Sequence, residues 1–209
     1  MSVQQKQENM NVEENHIHET EPSKSIVELI KRDHRILKAY YNKYKESNKH
    51  DDKWFNLFVW EAARHSVAEE LSLFPIMIRL GVEGEELANA SRREHHALKE
   101  SLEEVGKKKD PVLMDKMFEH YMDHMHQEEI QDLAFVEKEL TEDELSEAGK
   151  LFEARKMFAS TRPHPSIPSK SAGWESFLDF MIMPIDKLRD AWSKFPNQQD
   201  IKMAQDAMQ

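Results

Sequence analysis

Apolar residues recur every three or four positions along most of this chain, the spacing of a helix that buries one face and wets the other. Ile26, Ile30, Leu37, Tyr41 and Tyr44 make the first stripe, with His34 at its edge. It predicts a helix that Ser23 or Ser25 can cap and that ends near Ser47, before a polar break over 48–52. Trp54, Phe58, Ala62, His65, Ala68, Glu69, Ser72 and Ile76 share one face of a second helix, from about Asp52 to Leu80. Pro75 should kink this helix, because the Leu71 carbonyl loses its donor, and Gly81 and Gly84 should end it. The third stripe is Leu87, Ser91, His95, Leu98, Leu102 and Val105, on a helix over about 85–105. After a loop over 106–111 a fourth helix runs from Pro111 to about Leu140. Its inner face carries Leu113, Met117, His120, Tyr121, His124, Glu128, Gln131 and Phe135.

Four long helices joined by short loops predict an all-α fold, an up-down-up-down four-helix bundle with additional C-terminal helices. Thr141 and Glu144 form a capping box that opens a fifth helix to about Ala159. An extended loop with three prolines follows over 161–173, and Trp174 to Phe195 reads as one or two short helices closing one end of the bundle. The expected organisation is a disordered segment over 1–22, the bundle over 23–140, a helical extension over 141–195 and a frayed tail over 196–209.

At 209 residues the chain suits one compact domain with tails. It has no cysteine, which excludes disulfides, thiolate metal sites and cysteine nucleophiles and fits a reducing compartment. The net charge of −11 argues against nucleic acid as the main partner, since phosphate binding needs clustered Lys and Arg. No run of eighteen apolar residues is present, so no membrane partner is expected, and residues 1–22 lack the apolar core of a secretion signal. The expected location is the cytoplasm.

The polar residues on the inner faces carry the chemistry. His65-x-x-x-Glu69 on the second helix is repeated as His124-x-x-x-Glu128 on the fourth, and His34 and His95 stand alone on the first and third. Each lone histidine follows an acidic residue, Asp33 or Glu94. A histidine and a carboxylate four apart on a helix point the same way and can grip one ion. One such pair is common by chance, and a lone histidine on an apolar stripe is more often a hydrogen-bonded core residue. The duplication changes the balance. A pseudo-twofold axis between residues 25–80 and 84–140 would bring His34, His65, Glu69, His95, His124 and Glu128 to one level. Burying two unpaired carboxylates there would cost several kcal/mol, and no inner-face Lys or Arg is apparent to offset them. Two borderline divalent metals would do so. If Glu69 and Glu128 each bridge both ions, every metal gains two nitrogens and two oxygens. A bridging oxide or hydroxide then leaves one position open.

His120 lies one turn from His124 and is a candidate hydrogen-bonding partner behind the ligands, as are its first-half counterpart Glu61 and the core-facing Tyr121. A role for His120 as a fifth nitrogen ligand or a proton shuttle stays open. His96 and His126 project away from the inner faces, and Glu70 and Glu129 read as solvated or as partners for neighbouring cations.

These residues resemble the hemerythrin-like proteins that carry the HHE cation-binding domain. The matching pieces are Asp33-His34, His65 through Glu70 followed by Leu73-Phe74-Pro75, Glu94-His95, and His124 through Glu129. A weaker likeness continues through Arg162 to Pro165 and Pro184 to Asp190. The resemblance implies two iron ions bridged by carboxylates and an oxo or hydroxo group. It also implies dioxygen or peroxide as the small partner. The oxygen carriers of the family use a second histidine four residues after the third-helix ligand, and Lys99 stands there instead. Both irons would keep two histidines unless His120 substitutes, which favours redox chemistry over simple reversible carriage.

The first expected function is binding of dioxygen or a related small oxidant for storage, delivery or sensing. The second is a di-iron oxidase, oxygenase or peroxide-reactive enzyme acting on a small molecule. That enzyme would need an external electron donor, because no flavin or nicotinamide motif is present. The third is iron sensing or homeostasis.

Overall fold

The computed structural model describes residues 24–47, 52–161 and 196–207. They form seven helices: α1 (Ile26–Glu46), α2 (Asp52–Arg79), α3 (Val82–Lys108), α4 (Pro111–Ile130), α5 (Asp132–Glu139), α6 (Glu142–Thr161) and α7 (Gln198–Asp206). The fold is all-α. The segments read as disordered (1–22), as a proline loop (162–173) and as helices over 174–195 lie outside the described residues, as does most of the break at 48–51.

Local chemistry sets the boundaries. Ser25 caps α1: its Oγ accepts from the Glu28 amide at 3.1 Å, and Glu28 Oε2 accepts from the Ser25 amide at 2.9 Å. Such a cap is worth about 1 kcal/mol. Thr141 and Glu144 repeat the device at α6. Gly81 supplies the positive φ of +111° between α2 and α3. Helix α2 runs on through Pro75, whose side chain is exposed, so the Leu71 carbonyl it deprives lies toward water.

Three expectations change. Gly84 does not end α2 but sits in the first turn of α3, where a Cβ would collide with the Met77 carbonyl. It is there so that two helices can approach closely. The fourth predicted helix is two: Gln131 breaks it at φ −115°, ψ −70°, and α5 restarts at Asp132. Residues 198–206 are not frayed. They form α7, which docks on α1 through a Gln205 Nε2 to Tyr40 Oη hydrogen bond of 2.7 Å.

Two apolar clusters fill the interior. One gathers Leu37, Tyr41, Phe58, Leu98, Leu102, Met114, Phe118 and Tyr121. The other gathers Ile26, Ile30, Leu73, Phe74, Met77, Ala88, Leu133 and Phe152. Along α1 and α3 residue numbers rise from the second cluster to the first; along α2 and α4–α5 they rise the other way. The four rods therefore alternate in direction, and α6 lies across α1 and α2. Between the two apolar layers is one polar layer. No helix among the described residues is long and apolar enough to cross a membrane.

Candidate metal centre

That polar layer holds all six residues expected as ligands. His34, His65, Glu69, His95, His124 and Glu128 come from α1, α2, α2, α3, α4 and α4, and each is at most 6 % exposed. The histidines pair across helices: the His34 and His65 rings are 4.9 Å apart, as are His95 and His124. The glutamates lie between the pairs. Glu69 Oε1 is 2.9 Å from His65 Nε2, while Glu69 Oε2 is 3.4 Å from His95 Nε2. Glu128 Oε2 is 3.2 Å from His34 Nε2, and His95 Nε2 is 3.1 Å from His124 Nε2. One donor atom from each of His34, His65, Glu69 and Glu128 lies within 4.8 Å of the others.

These distances suit donors that share an ion rather than donors that bond to each other. Two ligands at right angles on one metal at about 2.1 Å sit about 3 Å apart. Among the described residues, both oxygens of Glu69, both oxygens of Glu128, both nitrogens of His65 and His34 Nε2 are buried without a hydrogen bond. Buried polar atoms are rarely left so. The donor set of imidazole and carboxylate fits borderline divalent cations.

Behind the candidate ligands stands a row of carboxylates that turns three of the four Nε2 atoms inward. His34 Nδ1 meets Glu129 Oε1 at 2.7 Å, and His95 Nδ1 meets Glu70 Oε1 at 3.2 Å. His65 Nδ1 faces Asp33 Oδ2 at 3.5 Å. Carboxylates in this position fix ring orientation and raise ligand basicity. Glu70 and Glu129, expected to be solvated or to partner neighbouring cations, are partly exposed, and each reaches sideways to a histidine of the opposite half. The duplicated Glu-Glu pairs were the available signal, since the second glutamate repeats as faithfully as the first.

The two halves differ in the third carboxylate. Asp33 serves His65, but its counterpart Glu94 bonds His120 Nε2 at 3.0 Å. His120 therefore sits beside Glu94 at the surface rather than behind His124. Glu61 faces Lys156, whose Nζ is 2.5 Å from Glu61 Oε1 and 2.5 Å from Asp33 Oδ2. Arg64 closes this network on Glu61 and on the Lys156 carbonyl. Lys156 is the buried cation that the inner faces of the bundle helices did not reveal, because it comes from α6. Tyr121 is buried, with its ring 6.2 Å from His124.

On the α3–α4 side no such helix covers the layer among the described residues. A cavity of about 290 Å³ opens there, lined among others by Ser91, Glu94, His120, Asp123, His124, Glu128 and Asp132. Ser91 Oγ donates to Asp132 Oδ2 at 2.5 Å.

Protonation in the metal-free chain follows this geometry. Burial alone would lower His65, but Glu69 and Asp33 carry it to about 10. His34 and His95 are also raised against burial, by Glu128 and Glu129 and by Glu70 and Glu69. His124 is pushed down to about 3 by burial and then by His95. Burial and Glu128 raise Glu69; Glu128, despite burial, is drawn down to about 2 by His34. Burial lifts Asp132 to about 7, against the Ser91 hydrogen bond. Protons therefore compete with a cation for the nitrogens of His34, His65 and His95.

An antiparallel bundle with inward histidines and glutamates at its mid-level is the build of a cation-binding helical protein. Residues 25–136 match the hemerythrin HHE cation binding domain. An uncharacterized hemerythrin-like protein of Schizosaccharomyces pombe is 39 % identical over 180 residues, covering 82 % of this chain and 88 % of the relative. The chain belongs to the hemerythrin family. No solved structure matches it.

Proposed function

We propose that the chain holds two iron ions, one beside His34 and His65 and one beside His95 and His124, with Glu69 and Glu128 shared between them. One observation carries this reading: the two oxygens of Glu69 face different histidine pairs, and neither has a hydrogen bond. A bridging carboxylate needs that disposition. Bound iron, with an oxo or hydroxo bridge, would supply open, redox-active positions for dioxygen or a related small oxidant. The protein's own part is to keep four Nε2 atoms inward, to exclude water with the two apolar layers, and to balance charge through Asp33, Glu70, Glu129 and Lys156.

Storage, delivery or sensing of a small oxidant is the first role. A second role, oxidation of a small molecule with electrons from an external donor, has two supports. Lys99 stands where the oxygen carriers place a further histidine, and His120 is engaged by Glu94. Asp132 can also hold a proton near neutral pH on a carboxyl that lines the cavity beside His124 and Glu128. Anaerobic loading with ferrous iron, followed by optical spectra on mixing with dioxygen, separates the roles. A persistent band that disappears under vacuum supports carriage. Repeated turnover with product formed supports catalysis. Absence of any iron-dependent band refutes both.

A further inference from the structure

We propose that divalent cations reach the centre through the cavity between α3 and α4, guided by Glu94 and Asp123 at its mouth and Asp132 within. The proposal rests on the two-metal reading above. The cavity's inner wall includes His124 and Glu128, and its outer wall carries Glu94 and Asp123, both exposed. Exposed acids alone are common and mean little. What gives these a direction is that the cavity ends on Glu128, which is 2 % exposed and whose two oxygens make no hydrogen bond among the described residues. An acid-lined recess in low-dielectric walls concentrates cations at that end. At about 290 Å³ it has room for an ion that keeps part of its water shell, since one water occupies about 30 Å³.

The two ends of the bundle and the α1–α2 side are less suitable. Above and below the polar layer lie the two apolar clusters. On the α1–α2 side α6 covers the layer, with Phe152 6.3 Å from the His65 ring and the Lys156 ammonium seated between Asp33 and Glu61. These side chains and α6 occupy that approach. The Glu94–His120 pair takes on a role here. It breaks the pseudo-symmetry that would place Glu94 behind His124, and it keeps a carboxylate at the mouth.

The test is the rate of Co(II) uptake by the full metal-free chain, followed by visible absorption in stopped flow. Glu94→Gln with Asp123→Asn is compared with a control of equal charge change on α6, Glu142→Gln with Glu147→Gln. The cavity variant is expected to load about 10-fold more slowly at low salt. Its final Co(II) content should equal that of the wild type. The control should load at the wild-type rate, and added salt should slow the wild type more than the cavity variant. Equal rates for wild type and cavity variant at low salt would overturn the route, and so would a reduced final content, which would make these residues holders of the ion. A wild-type chain that takes up no Co(II) would instead overturn the two-metal reading, so the two failures are distinguishable.

Discussion

Lys156 Nζ lies 2.5 Å from Asp33 Oδ2 and bridges a gap of 123 residues in sequence between α6 and α1. Asp33 in turn faces the Nδ1 of His65, whose Nε2 faces Glu69. A helix outside the four-rod core thus reaches the centre through one ammonium. Lys156→Met removes the ammonium that Asp33 and Glu61 share and leaves Arg32 beside Asp33 and Arg64 beside Glu61, which should cost up to about 3–5 kcal/mol in urea unfolding of the metal-free chain. Adding Asp33→Asn and Glu61→Gln should recover part of that loss. A single variant as stable as wild type would show that the pairing does not matter.

The contacts of Glu70 with His95 and of Glu129 with His34 predict that they orient candidate ligands rather than hold the fold. They are 29 % and 36 % exposed at the side chain, so their pairs contribute little to stability in solvent. Glu70→Gln and Glu129→Gln should each weaken metal binding about 10–100-fold, measured by competition with a chromophoric chelator. The melting temperature of the metal-free chain should move little. Unchanged metal affinity would assign both glutamates to ordinary surface.

The positions that share the polar layer were legible because they obey two simple rules at once: helical periodicity and duplication. His65, Glu69, His124 and Glu128 fall on apolar stripes at spacing four, and the Ser25 and Thr141 capping boxes are local. What was not legible depends on how helices dock. Glu70 lies 100° around the helix from Glu69. It reads as solvated on an isolated rod but meets His95 once α3 is alongside. Lys156 could not be placed without knowing that α6 covers α1 and α2. Gln131 ends α4 with no glycine or proline to announce it. The helix at Gln198–Asp206 is short, and its docking on Tyr40 joins residues 165 apart in sequence.

Gly84 tests the helix packing independently of metal. Alanine gains about 1 kcal/mol of helix propensity but drives its Cβ into the Met77 backbone, a collision that should cost about 1–3 kcal/mol. A lower urea midpoint with unchanged slope is expected for Gly84→Ala. A stabilised variant would show that α2 and α3 do not approach closely at Gly84 and Met77.

Stability should depend on pH in opposite ways with and without metal. In the metal-free chain His65 is raised from 6.5 to about 10. Its contribution is therefore complete below pH 6.5 and is lost as pH climbs toward 10. The same rise removes protons that compete with metal on His34, His65 and His95, so bound metal stabilises more. Scanning calorimetry between pH 6.5 and 9.5 should show the metal-induced shift in Tm growing with pH. A shift that shrinks over that range would mean the imidazoles do not carry the exchanged protons.

The most direct measurement is the number of ferrous ions retained per chain after anaerobic loading and desalting, counted by mass spectrometry for wild type and Glu69→Ala. Two ions in the wild type and at most one in the variant are expected, because Glu69 faces both histidine pairs. A wild type retaining one ion or none, or a variant retaining two, would contradict a shared centre.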